Sequence, residues 1–363
     1  MYLLSAASIL SCVVVASCGP AQHPLPANSR YFDIQGHRGS RGEAVESTLP
    51  AFAWGLIDGV TTLELDNGIT KDGVVIVWHD EEITPEKCID TAPVVKDDPD
   101  FPYVGKPIAK LTLAQIKTLD CGSLRLPNYP LQLTYPRTKI STLREVFEFV
   151  DCVDPMHQIL WNIESKVNPV HPNKTRGVKD FVEKQHKEFI SSPYPLSQIT
   201  YQSFDWRTLI AMKALEPRIA ISALIDVSTA TTADNSTSPW LAGLRLDEFS
   251  GLSLGVRIAN AASFIGAQIL SPAAVDYTGP EYALFTTKEM VRRAHQVGMS
   301  VKPWTVNSMS IAEDLMDSEA VDGIISDYPS NMRRFIKQRG LSVAPKFPKK
   351  RVYECLDQHV QRT

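Results

Sequence analysis

Residue types suited to metal-assisted phosphodiester chemistry crowd into one stretch, from Gly36 to Asp80. His37 and Arg38 stand between Gly36 and Gly39, and His79 stands between Trp78 and Asp80. Between them, Thr62-Leu63-Glu64-Leu65-Asp66-Asn67 alternates like a strand, and the two-residue period puts Glu64 and Asp66 on one face. Trp161-Asn162-Ile163-Glu164-Ser165-Lys166 alternates in the same way, with Asn162, Glu164 and Lys166 on one face. Ionised groups on apolar strands are costly to bury unless they pair with a cation or with each other. Glu64, Asp66 and Glu164 are hard oxygen donors, suited to one divalent cation, Mg2+ or Ca2+, rather than to zinc. Arg38 and Lys166 add fixed positive charge for a phosphate. His37 and His79 can hold or release a proton near neutral pH, as an acid and base pair would. Taken singly, each has a plainer reading: a satisfied structural histidine, a surface carboxylate, a cap. The combination of three segments favours a site.

The elements that must position these groups follow from the flanking residues. Tyr31, Phe32 and Ile34 precede His37, and Val74 to Trp78 precede His79. Both runs read as buried strands, so both imidazoles emerge where strands end, the place where parallel α/β folds put their chemistry. A helix is expected at 51–58, introduced by Glu46-Ser47-Thr48-Leu49-Pro50 and broken by Gly59, followed by a strand at 62–68. Residues 81–139, rich in Pro, Asp and Tyr, read as an insertion lobe on the face that carries the site, with one helix at 113–119. Beyond them, helices are expected at 142–150, 178–190, 205–215, 287–297 and 311–316. Strands are expected at 159–166, 199–203, 219–224, 300–306 and 323–326. Residues 261–265 and 268–271 form a helix or strand pair that the pattern does not divide, and 229–239 is a polar loop. About eight βα units imply a (β/α)8 TIM barrel of the α/β class, with an insertion after the second strand. Trp304, on a late strand, reads equally as a pocket wall or a core aromatic, and Asp327-Tyr328-Pro329, after the last strand, reads first as turn chemistry and second as a lining of the phosphate end.

The chain of 363 residues has a formal net charge of -4 and no basic patch, which sets nucleic acid aside as a partner. Residues 1–21 resemble a secretory signal, which makes a secreted protein the expectation, with lipid attachment at Cys18 ranked second. No later stretch is long and apolar enough to span a membrane, so no stable anchor is expected after signal removal. Cys88, Cys121, Cys152 and Cys355 are an even set, suggesting disulfides with three possible pairings. Asn173 and Asn235 head two glycosylation sequons.

The ordered set Gly36-His37-Arg38-Gly39, Glu46-Ser47-Thr48, Glu64-Leu65-Asp66, His79-Asp80, Asn162-Ile163-Glu164-Ser165-Lys166, Trp304-Thr305-Val306-Asn307 and Gly323 to Pro329 closely resembles glycerophosphodiester phosphodiesterases, and most of all their secreted fungal branch. The likeness runs over about 31–339, leaving a barrel domain at 30–340 and a C-terminal extension at 341–363. It implies a phospholipase-C-like barrel, one divalent cation, and hydrolysis of small glycerophosphodiesters to glycerol 3-phosphate and an alcohol. By motif, His37 and His79 are the acid/base pair, Glu64, Asp66 and Glu164 hold metal, and Arg38 and Lys166 contact phosphate. The family usually has Asn where Ser47 stands, and Ser47 is expected still to cap the next helix. Alternatives are a lipid-cleaving phospholipase D of the sphingomyelinase D type and a catalytically silent binding barrel.

Overall fold

Eight parallel strands alternate with helices in a computed structural model that describes residues 30–232, 237–278, 282–318 and 320–360. The signal-like segment with Cys18, and Asn235 of the second sequon, lie outside the described residues. Strand β1 (Asp33–Gly36) leads into α1 (Leu49–Asp58) and β2 (Thr62–Ile69). Next come the short β3 (Val75–Val77), the one-turn α2 (Leu113–Ile116), α3 (Leu143–Val153), β4 (Leu160–Ser165), α4 (Val178–Ser191) and β5 (Ile199–Ser203). The chain continues through α5 (Trp206–Leu215), β6 (Ala220–Ile225), α6 (Val227–Ala230), α7 (Leu254–Phe264) and β7 (Ile269–Pro272). A small hairpin, β8 (Val275–Asp276) with β9 (Ala283–Leu284), precedes α8 (Lys288–Gln296) and β10 (Ser300–Val301). The last elements are α9 (Met309–Ser318), β11 (Gly323–Ser326), α10 (Pro329–Gln338) and α11 (Lys349–Val360).

The barrel strands follow the order β10-β7-β6-β5-β4-β2-β1-β11, all parallel. Backbone hydrogen bonds from Asp322 N to Val301 O (2.9 Å), Ile325 N to Pro303 O (3.0 Å) and Val306 N to Ile325 O (2.9 Å) bring the two ends together. The expected (β/α)8 barrel is therefore present. Beyond Val301 the expected strand at 300–306 keeps barrel hydrogen bonds without ladder geometry, and the helix expected at 113–119 shrinks to one turn.

Local chemistry sets the helix ends. Thr48, not Ser47, caps α1: its hydroxyl accepts from Ala51 N at 3.3 Å, and Gly59 closes the helix with φ 79°. Ser47 instead takes φ 58° with its buried hydroxyl lacking a hydrogen bond, which corrects the expectation of a serine cap. Thr142 and Glu145 form a capping box on α3.

The strands' outward residues, among them Leu63, Leu65, Trp161, Ile163 and Tyr201, join Phe52, Leu56, Phe147 and Phe181 of the helices in the main core. The inward residues of β1, β2 and β4 are polar. Lys302 pairs with Asp33 at 2.7 Å, Gln35 donates to Asp33 at 2.7 Å, and Asn162 donates to Gln35 (2.7 Å) and Gln202 (3.0 Å). This chain of hydrogen-bonded polar groups leads up the barrel to the carboxylates, with Asn162 Oδ1 alone among the side-chain atoms of these residues left without a partner. The lobe has a separate small core, including Trp78, Ile83, Tyr103, Ile108, Leu111 and Leu119.

Candidate active site

Glu64 and Asp66 both point inward from β2, because the intervening Leu65 takes the outward place. The parallel register sets Asp66 opposite Glu164 and Glu64 opposite Asn162 on β4. Ligand oxygens of Glu64, Asp66 and Glu164 consequently lie within 4.8 Å of one another, all buried. Glu64 accepts from Gln202 Nε2 at 2.8 Å through Oε1 and from the Arg38 backbone N–H at 2.9 Å through Oε2. Lys166 Nζ lies 2.9 Å from Glu164 and 3.3 Å from Asp66. Asp66 Oδ2 has Arg38 Nε at 3.4 Å but no hydrogen bond.

The electrostatics of this trio call for a cation. Burial, then repulsion from Asp66, holds Glu64 well above the usual carboxylate range, and burial pushes Glu164 up to about 8. Asp66 alone is held well below its ordinary value, by Lys166, His79 and Arg38 acting against the burial that would raise it. Three buried carboxylates cannot all ionise on the strength of one lysine and one arginine, and Asp66 Oδ2 is buried without a hydrogen bond. The donor set thus fits a hard divalent ion.

The Gly36-His37-Arg38-Gly39 turn is folded on itself. A Cβ on Gly36 would stand 2.0 Å from Gly39 O, and Gly39 adopts φ +92° against the start of α1. This turn delivers His37 and Arg38 to the mouth from one loop. Arg38 is buried, with Nη1 on Glu46 Oε1 at 2.8 Å, and Glu46 also takes Arg41 and Lys87.

His37 Nδ1 is 2.6 Å from Asp327 Oδ1, and His79 Nδ1 is 2.8 Å from Asp80 Oδ1. A carboxylate at Nδ1 fixes the tautomer that keeps Nε2 free as an acceptor. Burial lowers the His37 pKa; burial, followed by Lys166 and Arg38, brings His79 down to about 3. Both imidazoles are close enough to Asp66 to interact with it electrostatically. His79 arrives by a hairpin. The strand before it, β3, runs antiparallel to β2, and Trp78 N donates to Asp66 O at 3.0 Å, so the chain doubles back onto the carboxylate strand.

Trp304 is half-buried, donates from Nε1 to Ser271 O at 2.8 Å, and meets Phe204 edge to face at 5.3 Å. Phe204 in turn meets Trp240 at 6.2 Å, and Lys166 Nζ lies 5.9 Å from its ring centroid. An aromatic wall therefore stands beside the cation site.

All eight residues singled out in the sequence fall in this region. Sequence reasoning gave no site role to Glu46, Asp80, Lys87, Tyr129, Gln202, Phe204, Trp240 or Asn307, and ranked turn chemistry ahead of a site role for Asp327. Asp327 had one usable signal: it follows the last barrel strand, where such folds place functional groups.

The glycerophosphoryl diester phosphodiesterase family model matches residues 37–331. A glycerophosphodiester phosphodiesterase of Caldanaerobacter subterraneus is 26% identical over 305 residues, covering 84% of this chain and 97% of that protein. A solved protein from Silicibacter pomeroyi superposes with a TM-score of 0.68 at 25% identity, over 87% of this chain and 96% of its own. An Oleispira antarctica phosphodiesterase, solved with the product sn-glycerol-3-phosphate, gives 0.59 at 21% identity, over 85% and 98%. With the motif set in one barrel mouth and the family model spanning most of the chain, this protein belongs to the glycerophosphoryl diester phosphodiesterase family.

Proposed function

We propose that the protein hydrolyses small glycerophosphodiesters to glycerol 3-phosphate and an alcohol, with His37 as base and His79 as acid. The observation that carries this reading is the meeting of the three carboxylates with two aspartate-backed imidazoles at one barrel mouth. A divalent cation held by Glu64, Asp66 and Glu164 would stabilise negative charge on the phosphoryl oxygens. Lys166 and Arg38 add fixed positive charge at the same place. His37 Nε2 takes the proton of the attacking group as its new P–O bond forms: attack by water gives glycerol 3-phosphate directly, whereas attack by the adjacent glycerol hydroxyl gives a cyclic phosphodiester that a water then opens to glycerol 3-phosphate. His79 Nε2 delivers a proton to the alcohol oxygen as the old P–O bond breaks. A phosphodiester anion bound beside Lys166 and Arg38 offsets the charges that depress His79, which favours its protonated form in the complex. Trp304, Phe204 and Trp240 are placed to pack against the organic part of the substrate.

The two disulfides and an exposed Asn173 support a secreted, glycosylated protein.

The test is 31P NMR of glycerophosphocholine incubated with the protein, with and without a chelator. Glycerol 3-phosphate as product, abolished by chelation, is expected; phosphocholine as product, or activity indifferent to chelation, overturns the reading. His37→Ala and His79→Ala are each expected to lower kcat at least about 100-fold.

A further inference from the structure

Both histidine-backing aspartates have a second carboxylate oxygen, and in both cases a residue of the insertion lobe holds it. Asp80 gives Oδ1 to His79 and takes Lys87 Nζ on Oδ2 at 2.5 Å. Lys87 also reaches Glu46 Oε1 at 2.8 Å, the carboxylate on which Arg38 rests. Asp327 gives Oδ1 to His37 and takes the Tyr129 hydroxyl on Oδ2 at 2.7 Å, together with Asn307 Nδ2 at 2.6 Å. Two aspartates from opposite ends of the chain thus have the same arrangement: barrel-mouth imidazole on one oxygen, lobe donor on the other.

The lobe is built to keep these two donors in place. The segment that carries Tyr129 is fastened to the β1–α1 loop by Leu133 N to Glu43 O (2.7 Å), Val45 N to Leu133 O (3.3 Å) and Gln132 Nε2 to Arg41 O (2.6 Å). Arg41 lies 4.7 Å from the Tyr129 ring centroid. Lys87 is buried and sits 5.4 Å from the centroid of the Trp78 ring, in the residue just before His79. The Cys88–Cys121 disulfide joins the residue after Lys87 to the start of the segment that leads to Tyr129. The two docking points are therefore parts of one cross-linked unit.

We propose that Lys87 and Tyr129 are positioning residues, through which the lobe orients both histidines by way of Asp80 and Asp327. The proposal rests on the reading of His37 and His79 as the acid and base. A carboxylate held at both oxygens has its plane fixed, and so fixes the plane of the imidazole it accepts from. Without Lys87, Asp80 Oδ2 keeps only Thr84 Oγ1 at 3.5 Å, and without the Tyr129 hydroxyl, Asp327 Oδ2 keeps only Asn307 Nδ2 at 2.6 Å. Each carboxylate then turns more readily with its histidine, and the geometry for proton transfer is lost in the fraction of molecules that turn. The lobe contributes no atom to the reaction; it narrows the orientations of the two groups that do.

The test uses the full chain loaded with Ca2+ or Mg2+. Tyr129→Phe removes one hydroxyl, and Lys87→Met removes the cation while keeping the stem over Trp78. Each is expected to lower kcat for glycerophosphocholine about tenfold, the effect of losing one charge-assisted hydrogen bond, with KM unchanged. Lys87→Arg is expected to recover most of the loss. In an Asp327→Asn background, Tyr129→Phe is expected to have no further effect, whereas in an Asp80→Asn background its effect persists; a general loosening of the lobe would lower both alike. Tyr129→Phe and Lys87→Met with kcat within twofold of the parent, while His37→Ala and His79→Ala are inactive, would overturn this proposal and leave the acid and base assignment standing. Full activity in His37→Ala and His79→Ala would remove that assignment instead.

Discussion

Glu164 shows how the site handles charge at the level of one side chain. Its pKa, pushed up to about 8 by burial, means that the cation-free protein carries a proton there at pH 7, and Glu64 is shifted in the same direction. A metal ligand must be deprotonated to bind, so cation uptake displaces those protons. Affinity for Ca2+ or Mg2+ is then expected to rise with pH between about 6 and 8, by about tenfold per pH unit for each proton displaced. Calorimetric titrations at pH 6, 7 and 8, in two buffers of different ionisation enthalpy, measure both affinity and proton release. A pH-independent Kd without proton release would mean that the carboxylates are already ionised. The trio itself was legible in the sequence because strand alternation exposes a polar face over a short span. Its supports were not: Asp327 lies 290 residues from His37, and Tyr129 lies 198 residues from Asp327. A contact across that separation leaves no local pattern to read.

At the scale of the element, legibility follows burial. Strands β5 and β11 match their expected limits, since a short, almost wholly buried run bounded by turn residues has few other ways to fold. The α7 helix begins seven residues before the segment its composition indicated, because Gly255, Arg257 and Asn260 break the apolar pattern while Ser253 caps the first turn. Helix α1 has a different lesson at its end. Asp58 is its last residue, a carboxylate at the negative end of the helix dipole, next to a cavity of about 390 Å³ rimmed by Arg333, Arg334, Lys337 and Lys346. No hydrogen bond reaches its Oδ2, and burial, then repulsion from Glu43, raises its pKa to about 6. The folded state therefore holds a proton that the unfolded state has released, over roughly pH 4 to 6. This contribution to stability is present below that window and lost as pH rises through it. Asp58→Asn is expected to stabilise the protein at pH 7.5 by on the order of 2 kcal/mol and to match the parent at pH 4. Urea unfolding at the two pH values checks this, and equal stability at pH 7.5 would refute it.

For the whole molecule, the C-terminal helix closes the barrel's outer layer. Helix α11 packs on α1 and α3, with Val352, Cys355 and Leu356 entering the main core and Tyr353 meeting Trp54 at 6.5 Å. The Cys152–Cys355 disulfide fastens it to α3 across 203 residues of sequence, and Arg351 Nε adds a hydrogen bond to Cys152 O at 2.8 Å. Composition and spacing gave no means of choosing among the three pairings, because pairing depends on which helices become neighbours after the barrel closes. Joining residues so far apart removes much chain entropy from the unfolded state, up to about 5 kcal/mol in the loop-closure account. None of the α11 contacts just named involves a residue of the candidate active site. The double variant Cys152→Ser, Cys355→Ser is therefore expected to melt roughly 4–10 °C lower. Its kcat at 25 °C should remain within about twofold of the parent, since the catalytic groups keep all their partners. Differential scanning calorimetry read beside the glycerophosphocholine assay distinguishes the outcomes. A loss of kcat at a temperature where the variant is fully folded would show that the outer layer acts on the barrel mouth, and that stability and chemistry are not separable in this fold.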